Sequence, residues 1–336
     1  MSNATLSRAE QNYVLDGLAL PTPQRQDGRK LEDYRPISVE APFSEQANGS
    51  ARVSIDGTQV LCGVKLEMEA YDPPHVTVQD GKMARDFAPL LPPLSRVQVG
   101  VEYSPALLHS HTPQELSVLS TSVQDMLNAC FGLHGDALGP LPVRQFIVVP
   151  YAKFWLMRID VYVLSWSGGN VLDTLFASVF AALWNTKLPK TKLLSVDKAV
   201  DALNQPVLTD DDHVGMKYIT RGRKNEAAST GATDFALENE WEDGVSLEGR
   251  SEVPVCISVY PVGNDFLLDP RLEEESALRV SISVLCSASG KLYGVQQRGD
   301  GEVTMAVVDK AIQAGIHHAK QLAASLKTFG TAPHHV

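Results

Sequence analysis

Residues 154–189 read FWLMRIDVYVLSWSGGNVLDTLFASVFAALWNTKLP, and the parsing of this stretch decides the fold. Phe154 to Trp166 is rich in β-branched and aromatic residues and partly alternates, which predicts a sheet strand. Gly168 and Gly169 break the pattern, and Asn170 is placed to cap a helix. Val171, Leu172, Leu175, Phe176, Val179, Phe180, Leu183 and Trp184 then leave that helix almost no polar face. Ala177, Ser178, Ala181 and Ala182 fill its remaining side with small residues. A helix apolar nearly all round belongs inside a domain, packed on a sheet. Pro189 helps to end the segment.

Upstream, Gln145 to Val149 predicts another strand, closed by Pro150. Thr112-Pro113-Gln114-Glu115 is a capping box with proline at the first helical position, and Leu116, Leu119, Val123, Met126, Leu127 and Cys130 supply a buried stripe behind it. His109 and His111 would share a face if they lay on a strand, but no Cys or further His is near enough in sequence to complete a metal site. Residues 71–111 are irregular and proline-rich, with Lys82, Arg85 and Arg96 as the basic residues that could line an RNA path. Further back, Gly49 to Ile55 and Gln59 to Glu67 predict a hairpin turned by Asp56-Gly57-Thr58. Lys65 and Glu67 fall on the outward side of that alternation. Ser7 and Glu10 open a short N-terminal helix with Tyr13, Val14 and Leu18 as its apolar stripe, ended by Pro21 and Pro23.

Downstream, residues 201–250 change character. Asp210-Asp211-Asp212, the basic spot Arg221-Gly222-Arg223-Lys224 and the acidic run from Glu238 to Asp243 are charged and poorly periodic. They predict a long, largely disordered insertion, with Arg221, Arg223 and Lys224 as further RNA-contact candidates. From Val253 the β signal returns as a meander with turns at Gly263-Asn264 and Ser289-Gly290, and a last helix is expected over Val303 to Lys327. The expected organisation is therefore an N-terminal extension over 1–24, a larger α+β domain over 25–200, the charged insertion over 201–250, and a smaller α+β domain over 251–330.

The bulk properties narrow the function. A chain of 336 residues with 44% hydrophobic and 21% charged residues is ordinary globular composition. Its apolar runs are too short to span a bilayer, and the sequence MSNATLSRAEQ has no basic-plus-apolar leader pattern. Cys62, Cys130, Cys256 and Cys286 are scattered without zinc spacing and read as reduced, buried thiols. The net charge of −11 disfavours strong autonomous binding to nucleic acid, which asks for a surplus of Lys and Arg.

Three sets of residues together carry a resemblance. They are Asp27-Gly28-Arg29 with Tyr34-Arg35, Gly49-Ser50-Ala51 leading into Gly63-Val64-Lys65-Leu66-Glu67, and Gly168-Gly169-Asn170. The set resembles the RNase PH family of phosphate-dependent RNA exonucleases. The resemblance implies an α+β RNase PH fold, a two-layer sheet-plus-helices unit similar to domain 2 of ribosomal protein S5, with a smaller C-terminal α+β domain. In that family the strand before the paired glycines carries Asp-x-Asp-x(4)-Asp-Gly-Gly, followed by a Thr-Arg-Thr type helix start. Here Asp160 matches the first acid, Tyr162 stands at the second and Ser167 at the third, while Asn170-Val171-Leu172 replaces the helix start. Moreover, the stretch from Thr112 to Leu127, where active relatives place a phosphate-binding arginine, holds no Lys or Arg.

A kept fold with lost acids is similar to the non-catalytic subunits of the RNA exosome ring. That likeness implies no catalytic residue, cofactor or metal of the chain's own. The implied partners are other RNase PH-like ring subunits, S1/KH cap subunits and associated 3'-5' exoribonucleases, with RNA passing through the shared channel and no membrane. It also implies a place in nucleus, nucleolus and cytoplasm. The competing expectation is an active phosphate-dependent 3'-5' exoribonuclease.

Overall fold

A computed structural model describes residues 6–20, 23–70, 96–131, 139–149, 153–194, 234–238, 244–263 and 265–329. In chain order, helix α1 (Arg8–Leu18) precedes strands β1 (Ile37–Glu40), β2 (Gly49–Ile55), β3 (Thr58–Ala70) and β4 (Val97–Tyr103). Helix α2 (Pro113–Phe131), β5 (Ile147–Val149), β6 (Lys153–Trp166) and α3 (Val171–Asn185) follow, and then the short strands β7 (Lys187–Leu188), β8 (Thr191–Leu194), β9 (Asp234–Leu237) and β10 (Val245–Ser246). The C-terminal half comprises β11 (Val255–Val262), β12 (Asp265–Leu268), α4 (Leu272–Ala277), β13 (Val280–Cys286), β14 (Leu292–Gly299) and α5 (Met305–Phe329).

The predicted strand–turn–helix unit is the centre of this arrangement. β6 pairs antiparallel with β3 along its whole length and parallel with β4, giving the order β1-β2-β3-β6-β4 with β5 also on β6. Because side chains alternate across a strand, Met157, Ile159, Val161 and Val163 all face inward and are buried, as are Val60, Cys62 and Val64 beside them on β3. On that inner face lies α3, buried from Val171 through Leu183. Its apolar girth is explained by what surrounds it: β2 and β3 on one side, β11 of the second half on the other, and α5 alongside. Each large side chain so enclosed contributes roughly 1.5–3 kcal/mol, so α3 is the common core of both halves.

The second half is an antiparallel sheet in the order β12-β11-β13-β14, with α5 packed on β11 and β13. The capping box at Ser7 and Glu10 starts α1, whose Val14 and Leu18 pack with Tyr260, Leu267 and Ala277 of the second half. The expected apolar stripe loses Tyr13, which is 72% exposed. The box at Thr112 and Glu115 likewise starts α2, through bonds of 2.8 and 3.3 Å.

Two expectations need correction. Asn170 does not cap α3 with its side chain; it adopts a left-handed backbone, with φ +51°, and its amide reaches elsewhere. Within the stretch expected to be a largely disordered insertion, Asp234–Leu237 pairs with β8 and Val245–Ser246 pairs with β7, while Leu247 is buried; 201–233 and 239–243 lie outside the described residues. These short pairings join residues far apart in sequence, so local periodicity cannot announce them. The expected terminal helix is present, from Met305 to Phe329.

Candidate functional site at the junction of the two halves

The paired glycines set the chain's direction at the end of β6. Gly169 has φ +78°, and a Cβ there would lie 2.8 Å from the Leu272 backbone nitrogen, so the two halves approach at a point that only glycine fits. This brings the N-terminus of α3 against the loop between β12 and α4. The acidic groups of that loop and of α4 are gripped by arginines from the N-terminal segment. Arg25 holds Glu274 through two bonds of 3.0 and 2.7 Å and also donates to the carbonyls of Leu268 and Asp269. Arg35 holds Asp269 in the same two-pronged way, and Arg29 adds a bond of 2.9 Å to the same carboxylate. Asn170 Nδ2 donates to Asp269 as well, at 2.8 Å.

Arg25, Arg29 and Arg35 therefore form a buried interdomain latch, with Arg25 and Arg35 only 5% and 7% exposed. Burial by itself would raise the Asp269 carboxyl pKa. The Arg35 bonds and charge, with Asn170, outweigh it and hold the group below its ordinary range. Asp173, in the first turn of α3, has no such cation among the described residues. It accepts from the Ser258 N–H at 2.9 Å and the Tyr34 hydroxyl at 3.0 Å, and burial pushes its pKa up to about 7.

Beside the α3 N-terminus a half-enclosed cavity of about 120 Å³ is lined by Trp166 and Asn170 of the first half and by Ser258, Tyr260, Glu275 and Arg298 of the second. Glu275 is the acid among its lining residues, and its two oxygens already accept from the Asn170 N–H at 3.1 Å and the Tyr260 hydroxyl at 3.2 Å. Arg298 reaches across from β14 to Ser122 and Met126 on α2, so a guanidinium does sit by α2 although α2 has none. A group of carboxylates able to share a divalent metal would need further acids here. Among the described residues, no group of three or more His, Cys, Asp or Glu is placed to hold a metal ion.

The positions compared with the family's acids do not converge on this cavity. Asp160 and Tyr162 lie on the outer face of β6, opposite the buried Ile159, Val161 and Val163. Asp160 is flanked in register by Gly63 and Gly100, and Tyr162 by Leu61 and Glu102. Ser167 is elsewhere again, its hydroxyl donating to the Gly57 carbonyl at 2.9 Å in the β2–β3 turn. His109 ends a short 3-10 helix and His111 follows it in a turn, so they do not share a strand face; His111 stacks on Trp166 at 4.5 Å. Lys65 is exposed on the outer sheet face, and Glu67 pairs there with Arg158 at 3.0 Å.

Among the RNA-contact candidates, Arg96 is a correction. It is 4% exposed, bonded to Glu69 at 3.0 Å, and its guanidinium sits 4.5 Å over the Phe154 ring. It is part of the sheet's packing and offers no free cation to RNA. Lys82, Arg85, Arg221, Arg223 and Lys224 lie outside the described residues. The residues that make the junction, Asp269, Glu274, Glu275 and Arg298, were not singled out from the sequence. One signal could have found the acids: Asp269-Pro270 followed by Glu273-Glu274-Glu275 is a turn with acids at a helix start.

Similar proteins fit this geometry. Residues 33–189 match the 3' exoribonuclease family, domain 1 (RNase PH), and residues 252–317 match domain 2 of the same family. The chain is 28% identical over 309 residues to the protein called exosome complex component Rrp42 of Sulfurisphaera tokodaii, covering 92% of this chain and 90% of that protein. The protein of the same name from Saccharolobus solfataricus is also 28% identical, covering 90% and 88%. Among solved structures, a chain of an archaeal exosome core superposes with a TM-score of 0.60 at 20% identity over 95% of this chain and 96% of that one. A chain of the Archaeoglobus fulgidus exosome with RNA bound to the active site gives 0.59 at 20% identity, over 94% and 97%. With both domain profiles matched in order and the junction between them built as described, the chain belongs to the 3' exoribonuclease (RNase PH) family.

Proposed function

We propose that this chain is a non-catalytic subunit of an exosome core ring, supporting 3'-5' processing and degradation of RNA by a separate nuclease. The reading rests first on the full-length likeness to proteins named as exosome component Rrp42. The observation that carries the non-catalytic part is the divergence of the family's acidic strand. Asp160 stands alone on the outer face of β6 with Tyr162 and Ser167 at the other two positions, and the junction cavity carries the single acid Glu275 among its lining residues. A phosphorolytic site needs groups that bind phosphate and carboxylates that steady a divalent metal in the transition state.

In this role the chain works through its surfaces. It sits beside RNase PH-like paralogues, under S1/KH cap subunits, and contributes to a channel through which RNA reaches the associated exoribonuclease. Its proposed location is the nucleus, nucleolus and cytoplasm, where such processing takes place. The acidic balance of −11 accords with a chain that contributes to a shared channel and does not grip RNA alone.

The test is a native pull-down of the tagged chain from its own cells, with mass and subunit stoichiometry determined. One copy beside several RNase PH-like paralogues and a distinct nuclease is the expected result. A free monomer or homo-ring that releases nucleoside diphosphates from RNA in a phosphate-dependent manner would overturn the proposal.

A further inference from the structure

The junction cavity holds more unsatisfied polarity than a dry void tolerates. Trp166 Nε1, Asn170 Oδ1 and Ser258 Oγ are buried polar atoms without a hydrogen-bond partner among the described residues, and all three residues line this one cavity. Asn170 and Ser258 are each 2% exposed. The Asn170 amide cannot turn over to relieve the problem, because its Nδ2 already donates to Asp269 Oδ1 at 2.8 Å. The indole offers only a donor, the amide oxygen only an acceptor, and the hydroxyl either. A species that both donates and accepts serves all of them.

The cavity's size and charge select among such species. A cavity of about 120 Å³ is large enough to hold several waters. Its lining includes the cation Arg298 and the acid Glu275, so a multiply charged anion would find no surplus of positive charge and would lie against a carboxyl group. Asp173 sits just behind, bonded to the backbone of the same Ser258. Buried waters characteristically make two to four hydrogen bonds to polar groups of this kind.

We propose that this cavity is a hydration site, where a small cluster of ordered waters bridges Trp166 and Asn170 of the first half to Ser258 of the second and excludes inorganic phosphate. The waters complete the interdomain junction where the Arg35–Asp269 latch stops. This holds whether or not the chain sits in an exosome ring, so its failure and that of the proposed function are read separately.

The experiment is a high-resolution crystal structure of the full chain, alone or in its assembly, from crystals grown without phosphate and from crystals soaked in it. The expected result is water density within hydrogen-bond distance of at least two of the three groups, unchanged by the soak. In solution, the Trp166 indole N–H should show magnetisation transfer from long-lived water, a signal that a dry cavity cannot give. A dry cavity, or water touching fewer than two of the groups, overturns the proposal. Density for an oxyanion in their place overturns it too, and would count in addition against the non-catalytic reading.

Discussion

Arg35 and Asp269, separated by 234 positions in sequence, share a two-pronged ion pair, with Nε to Oδ2 at 2.8 Å and Nη2 to Oδ1 at 2.7 Å. Both are buried, and Arg29 and Asn170 bond the same carboxylate. A buried charge left without its partner is costly even where the intact pair contributes little net stability. Replacing Asp269 by asparagine keeps the size and tolerates the residue's φ of +44°, so the loss is chiefly electrostatic. The expected loss is about 3–5 kcal/mol, measured by urea unfolding. A variant as stable as the parent would show that the latch carries no weight.

Two carboxylates of the junction impose opposite pH dependences. Asp269 is held low by Arg35 despite its burial, so its contribution is present above the unfolded-state pKa of ~3.9 and is lost as pH falls through the still lower folded-state pKa. Asp173 is raised by burial to about 7, with Tyr34, Ser258, Asn170, Asp269 and Cys256 as the groups around it. Between ~4 and ~7 the folded state then binds more protons than the unfolded one, so this group makes stability decline as pH rises. The slope reaches about 1.4 kcal/mol for each pH unit while Asp173 alone titrates. Asp173→Asn should flatten that decline, since the amide oxygen can still accept from Ser258 and the NH₂ can meet Tyr34. Unfolding free energies from pH 4 to 8 for both proteins decide it; an unaltered slope in the variant would refute the assignment.

Gly169 should be as demanding as the latch it adjoins. Its φ of +78° is strained for any residue with a Cβ, and that atom would press on backbone at Leu272, Arg271 and Pro270, all within 2.9 Å. Backbone cannot swing aside as a side-chain tip does. Gly169→Ala is therefore expected to destabilise by more than the ~1 kcal/mol that left-handed strain alone exacts. Gly63→Ala is the control, because among the described residues nothing lies within 4 Å of a Cβ there. Thermal melts of the two variants should separate clearly, with Gly169→Ala much the lower.

What was legible in the sequence was whatever local chemistry specifies. The alternation of β6, the all-round apolar α3, the capping boxes at Ser7 and Thr112 and the Asp56-Gly57 turn were readable because each is set by neighbours a few positions away. The junction was not. Arg25 and Glu274 meet across 249 positions, and nothing in either local pattern names the other. For the same reason Asn170 reads as a cap although its amide serves Asp269. The comparison of Asp160, Tyr162 and Ser167 with an acidic motif followed one strand of the first half, whereas the acid that faces the cavity, Glu275, comes from α4 of the second.

Arg96 shows how such misreading extends to single residues, and it can be tested cleanly. In a proline-rich loop an arginine invites assignment to RNA, yet here the guanidinium lies over Phe154 and bonds Glu69, whose side chain is 45% exposed. Removing the arginine leaves the carboxylate able to hydrate, so the penalty is milder than for Asp269. Lost cation–π contact and a lost charge-assisted bond together suggest about 2 kcal/mol. Arg96→Ala should therefore lower the melting temperature while leaving RNA affinity of the assembled ring unchanged at matched folded fraction. Arg96→Lys should recover part of the stability at most, since an ammonium cannot stack its plane on the ring. The salt dependence of RNA binding is the discriminating measurement. An arginine that touched phosphate would reduce the slope when removed, and a packed one leaves it unaltered.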